Sequence, residues 1–238
     1  MAWSVVARNL PEHAWNPIHT DAGATAAGYP AAIVAGVTTY AYLTHPCVEA
    51  WGREWLERGG GEVRFRAPVF DGDRVECVVG TTTEGATIDA ICPDRANTPR
   101  ATLTAVRDAG PPPPERPGRR LPSRRVTLDR LFGWDYGARA GDDIALYERD
   151  GIVHPAVWPA LANHVYVGEL VDGPWIHTRS LTRHHGLGHA GATVDVHALV
   201  VEEFEQNGLR VVCDVVIEHD SRPLATIEHE AIVRPIGR

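Results

Sequence analysis

The 238-residue chain has no lysine; all 23 of its basic residues are arginine. That excludes a Schiff-base lysine, a phosphate-loop lysine and a serine–lysine nucleophile pair. Cysteine is scarce, with Cys47, Cys77, Cys92 and Cys213 scattered and no Cys-x-x-Cys pair. We expect them to be small core residues in a reducing cytoplasm rather than disulfides or metal ligands. No run of about 18 apolar residues is present, so no membrane span is expected. The opening MAWSVVARNL lacks a basic start followed by an apolar run, which also fits a cytoplasmic protein. A formal net charge of −8 argues against a nucleic-acid partner and against an anionic membrane surface.

Apolar residues make up 44% of the chain, enough for a sizeable core. One break in composition lies near the middle. Residues 108–125, DAGPPPPERPGRRLPSRR, are rich in Pro and Arg and read as an extended linker. The chain therefore divides into residues 1–107, the linker 108–125, and residues 126–238. The two sides repeat one pattern. IVAGVTTYAYL (33–43) reads as a buried helix, followed by a second helix entered at Pro46 and then four strand-like runs. IVHPAVWPALANHVYVGEL (152–170) reads as the matching helix, and four strand-like runs follow it too. A helix that is apolar nearly all round must be enclosed, and a curved antiparallel sheet would enclose it. Central helices are expected over 33–44 and 155–168, in an α+β fold.

The motif NPIHTD (16–21), the small-residue stretch after it and VRFRAPVFDGD (63–73) resemble the MaoC-type dehydratases, also called (R)-specific or type-2 enoyl-CoA hydratases. The resemblance covers most of residues 1–107. It implies a double hotdog fold, with two central helices each wrapped by an antiparallel sheet. It also implies hydration of trans-2-enoyl thioesters, or dehydration of (R)-3-hydroxyacyl thioesters, carried by coenzyme A or an acyl carrier protein. No cofactor and no metal is required. By this resemblance His19 is the acid/base histidine, Gly36 supplies the helix-start N–H for the thioester oxygen, and Asn16 orders the loop. The motif's other residue, Asp21, reads as the cap of a short helix.

The family's aspartate, five residues before the histidine, falls on Ala14. Glu12 and Asp142 are the candidate substitute acids. In the second half Gly141 and Asp142 keep the motif's start, Tyr147 stands at the histidine's place and Pro155 at the glycine's. His184, His185 and His189, with Gly186 and Gly188 between, suit a loop rather than a metal site. Three functions follow: a hydratase or dehydratase, a hotdog thioesterase, or a non-catalytic acyl-thioester-binding or heteromeric subunit. The absence of an acidic nucleophile on either central helix counts against the thioesterase. Two hotdogs in one chain allow a monomer or a homodimer.

Overall fold

The structure, a computed structural model, describes residues 3–129 and 131–235. Its first half runs from strand β1 (Trp3–Val6) through a short helix α1 (Asp21–Ala26) to the long helix α2 (Gly36–Arg58). Strands β2 (Gly60–Phe65), β3 (Arg74–Thr81), β4 (Gly85–Cys92) and β5 (Ala96–Val106) follow. Two short strands, β6 (Arg119–Arg120) and β7 (Arg124–Thr127), and two short helices, α3 (Asp135–Ala140) and α4 (Leu146–Asp150), lead to helix α5 (Val157–Glu169). Strands β8 (Ile176–His184), β9 (Thr193–Glu205), β10 (Gly208–His219) and β11 (Arg222–Pro235) complete the described chain.

The strands follow their period of two: β4 turns Ala86, Ile88, Ala90 and Cys92 inward and the residues between them outward. Every residue of α2 from Val37 to His45 is buried, so this stretch of the helix has no solvent face to offer and is wrapped. All strand pairings are antiparallel. They form one sheet in the order β1-β3-β4-β5-β2-β8-β11-β10-β9-β6, with β7 also on β9. The join is β2 against β8, Gly60–Arg64 pairing with Arg179–Arg183. Helix α2 packs on β2 to β5 and on β8, and α5 packs on β8, β9 and β11. This is the α+β double hotdog expected from the sequence.

Two local expectations are corrected. Pro46 does not start a second helix; α2 runs through it and breaks instead at Gly52 (φ 60°, ψ −148°). Proline leaves the Tyr42 carbonyl without its helical donor, and the buried Cys77 thiol takes that place at 3.3 Å. The Pro/Arg-rich run is laid on the second half. Leu121 donates to the Ala198 carbonyl at 2.9 Å, and Arg116 binds Asp214 at 2.7 Å.

Candidate active site

The motif loop is built from two 3₁₀ turns, Pro11–His13 and Pro17–His19, each opened by a proline whose missing N–H would be unused there anyway. Asn16, buried between them, donates from Nδ2 to the Trp175 carbonyl at 3.0 Å and ties the loop to the second half. The Ile33 N–H bonds the Ile18 carbonyl at 3.0 Å, which sets the loop beside the start of α2. Asp21 is not the cap of α1. Thr20 caps it, Oγ1 accepting from Gly23 N–H at 3.2 Å, while the Asp21 carboxylate accepts from Ala32 N–H at 3.0 Å and closes the loop. Asp21 begins the helix one residue too late to cap it.

His19 Nδ1 lies 2.7 Å from the Ile33 carbonyl. A carbonyl can only accept, so Nδ1 carries the proton and Nε2 keeps its lone pair. Burial lowers the His19 pKa to about 4, against a smaller opposite pull from the Ile33 carbonyl. The ring is therefore neutral at pH 7, with a free base nitrogen.

His19 lines a cavity of about 290 Å³ together with Asn16 and Gly36. Gly36 is the first residue of α2, so its N–H has no carbonyl a turn back to bond and joins the positive end of the helix dipole. The second half supplies Asn163 from α5, Trp175, and His177 from β8 to the same cavity. Asn16 Oδ1, Asn163 Oδ1 and His177 Nδ1 are buried without a hydrogen-bond partner among the described residues. Among the described residues, no aspartate or glutamate lines this cavity. A second cavity of about 310 Å³, between the Pro113–Arg116 segment and β10, carries neither His19 nor Gly36.

The structure brings His19, Gly36 and Asn16 together and leaves the two substitute acids elsewhere. Glu12 does not face the cavity; it is ion-paired with Arg139 of α3. Asp142 is buried against His154, with His154 Nε2 at 3.1 Å, and accepts from Ile144 N–H at 2.9 Å. Burial pushes the Asp142 carboxyl up, but the His154 and Ile144 bonds outweigh it and hold it below the usual range. Ala14 is exposed and His13 turns inward, because the turn Pro11–His13 places residue 13 on the protein side. The His13 ring centroid is 6.2 Å from that of His19, its Nε2 is 2.9 Å from the Tyr136 hydroxyl, and burial lowers its pKa to about 3. His184 is on a strand rather than in a loop, its Nδ1 donating to the Trp55 carbonyl at 3.0 Å, and His185 bonds Thr226.

Sequence reasoning missed Asn163, Trp175 and His177, which join the site from across the chain. One signal was present: β8 buries His177, Ser180, Thr182 and His184, a polar set on the face where a core strand carries apolar residues.

Residues 11–91 match the family model described as the MaoC like domain. No curated protein matches the sequence. Among solved structures, one described as a MaoC-like dehydratase superposes with a TM-score of 0.64 at 13% identity, covering 98% of this chain and 96% of its own. A conserved hypothetical protein from Mycobacterium tuberculosis, described as having a double hotdog fold, gives a TM-score of 0.61 at 13% identity, with coverages of 98% and 94%. A protein described as an oleoyl thioesterase, from Lactobacillus plantarum, gives 0.56 at 13% identity, with coverages of 86% and 91%. At such identities these similarities establish the fold.

Proposed function

We propose, for a double hotdog whose residues 11–91 carry a MaoC-like domain, that the protein is an acyl-thioester hydratase or dehydratase working with a single histidine base. It interconverts trans-2-enoyl and (R)-3-hydroxyacyl thioesters. The observation that carries this reading is His19: its Nδ1–H is fixed on the Ile33 carbonyl, and it shares a cavity with Gly36, whose helix-start N–H has no intrahelical acceptor. The thioester oxygen accepts from Gly36 N–H, which withdraws charge from the β-carbon. Water gives one proton to His19 Nε2 while its oxygen bonds the β-carbon. The enolate that results is held at the helix start, and the His19 imidazolium returns the proton to the α-carbon. Water is consumed, its hydroxyl and its proton ending on adjacent carbons, and His19 is regenerated. The unpartnered Asn16 and Asn163 oxygens are acceptors suited to the water's second proton.

Arg66 is the arginine best placed for the carrier's phosphates. It is exposed, lines the cavity and has no ion-pair partner among the described residues. The guanidinium suits a phosphate at a site without lysine.

The deciding experiment is to incubate the protein with crotonyl-CoA and with a saturated acyl-CoA. We expect loss of the enoyl-thioester absorbance in the first and no thiol release in the second. Thiol release from the saturated thioester would make it a thioesterase. Binding of both without turnover would make it a carrier or a subunit.

A further inference from the structure

His177 belongs to the C-terminal half, yet it lines the cavity that holds Gly36 and His19. A Cβ on residue 36 would lie 3.1 Å from His177 Nδ1 and 3.3 Å from the Phe65 ring. The missing side chain therefore lets the start of α2 and the His177 imidazole approach each other closely in the wall of one cavity. His177 Nδ1 is buried and has no partner among the described residues, which is costly unless something binds there. The other nitrogen, Nε2, is 2.8 Å from Ser180 Oγ, and Ser180 Oγ is 2.8 Å from His229 Nδ1.

We propose that His177 is a second donor to the substrate's thioester oxygen, acting beside Gly36 N–H and set in its donating form by Ser180 and His229. The inference rests on the reading of this cavity as an acyl-thioester site. Burial lowers the pKa of His177 to about 3, against weaker pulls from the Arg179 backbone and Glu230, and holds His229 well below its usual value. Each ring therefore carries one proton at pH 7. Ser180 has one proton to give, so the three groups have two arrangements. In the first, His229 Nδ1–H donates to Ser180, Ser180 donates to His177 Nε2, and the His177 proton sits on Nδ1, facing the cavity. In the second, both bonds run the other way and Nδ1 is a bare acceptor. A carbonyl oxygen is an acceptor and selects the first. A neutral imidazole fixed in a dry site supports a developing enolate without giving up its proton, and it needs no reorganisation as the charge forms. His177 touches the substrate and is a catalytic residue on this account; Ser180 and His229 position it.

Acetoacetyl-CoA tests the donor without requiring turnover, because its enolate absorbs in the near ultraviolet and oxyanion donors raise the enolate fraction. The wild type should show an enhanced enolate band on binding, and His177→Phe should lose most of it while binding the ligand within a few-fold. If the enoyl reaction is present, kcat should fall about 10²–10³-fold, the usual effect of losing one oxyanion donor, with KM little changed. Ser180→Ala should lose part of the band. A wild type that binds and enolises the ligand but does not hydrate crotonyl-CoA would remove the hydratase reading and keep the donor. A band that is absent from the wild type, or unchanged in His177→Phe, overturns the donor. If the variant does not fold, ¹⁵N-histidine NMR of the wild type decides: ligand must place the His177 proton on Nδ1, and a proton remaining on Nε2 overturns the proposal.

Discussion

The starts of the two central helices share one frame and hold opposite chemistry. Before α2, Ile33 bridges Phe70 and Val34 N–H bonds the Val69 carbonyl at 2.8 Å; before α5, Ile152 bridges His189 and Val153 N–H bonds the Gly188 carbonyl at 2.9 Å. That register sets Gly36 opposite Pro155, as the sequence spacing implied. It sets Tyr147 opposite Ile18 rather than His19, since Ile33 N–H bonds Ile18 and Ile152 N–H bonds Tyr147. At the first helix the polar groups are left open around a cavity. At the second they satisfy one another: His154 is fully buried, its Nδ1 accepts from Ala156 N–H at 3.2 Å and its Nε2–H donates to Asp142 at 3.1 Å. Proline at 155 has no N–H to offer. The contrast teaches that one frame serves as a site or as scaffold according to whether its polar groups are spent on each other.

The sharpest way to break that contrast is to remove one histidine from each half. His19→Ala should lower enoyl-thioester turnover about 10²–10⁴-fold with a melting curve close to wild type. His154→Ala should do the reverse, costing about 1–3 kcal/mol by leaving one oxygen of the buried Asp142 carboxylate without its hydrogen bond. Turnover per folded molecule should be unchanged. Paired kinetics and urea melts check both, and a His154 variant that is stable but inactive would move the chemistry to the second half.

Acid should erase the contrast, because both halves bury neutral histidines. The folded-state pKa values are about 3 for His13 and His177 and about 4 for His19 and His184, all lowered chiefly by burial. In the unfolded chain each returns to about 6.5. Between those values the unfolded state binds protons that the native state refuses, so stability is full above pH 6.5 and falls as pH drops toward 4. Each such histidine contributes a slope of up to about 1.4 kcal/mol per pH unit. Urea midpoints from pH 7.5 to 4.5 should drop steeply below about 6.5, and His184→Phe should flatten the fall by about one histidine's share. Over the same range His19 stays a base, so the proposed activity of the folded protein should persist below pH 6; loss of kcat with a midpoint near 6.5 would show that the ring titrates normally.

The long elements could be read from the sequence because their patterns are local. Alternation marked β3, β4 and β8 to β11, and an all-apolar run marked α2. The four-residue β1 and two-residue β6 are too short to carry a period; their pairings with β3 and β9 are tertiary. Of the candidate site, His19, Asn16 and Gly36 could be proposed from the sequence because one loop and one helix start carry them. His177 and Asn163 were not, because folding alone brings β8 and α5 to that loop. The inward turn of His13 was missed because counting back from His19 assumes a regular backbone, and two proline-opened 3₁₀ turns shift the face.

Arg66 gives a smaller expected effect. Arg66→Ala should raise KM for a coenzyme A thioester about fivefold, the scale of one exposed ion pair. KM for the matching pantetheine thioester and both kcat values should be unchanged. Equal KM increases for the two substrates would place the arginine's role on the acyl chain.

The smallest effect is expected at the position that seemed most telling in the sequence. By the sequence resemblance alone Ala14 falls at the place of the MaoC-type aspartate, so a carboxylate there would be expected to restore a second acid/base group. The folded loop argues otherwise. Ala14 is exposed, it does not line the cavity, and the inward position beside it is filled by the buried His13, bonded to Tyr136. A carboxylate at 14 would stay in water, so Ala14→Asp should change stability by no more than about 0.5 kcal/mol. It should change turnover of a short enoyl-CoA by less than about threefold, since a group even 1 Å from its productive place loses most of its effect. Steady-state kinetics on the purified variant measure this directly. A gain of tenfold or more would mean that substrate turns the loop by one residue and brings position 14 to the water. The N-terminal half would then have lost a catalytic group by substitution. The geometry instead supports a site that works through His19 and borrows its remaining donors and acceptors from the other half.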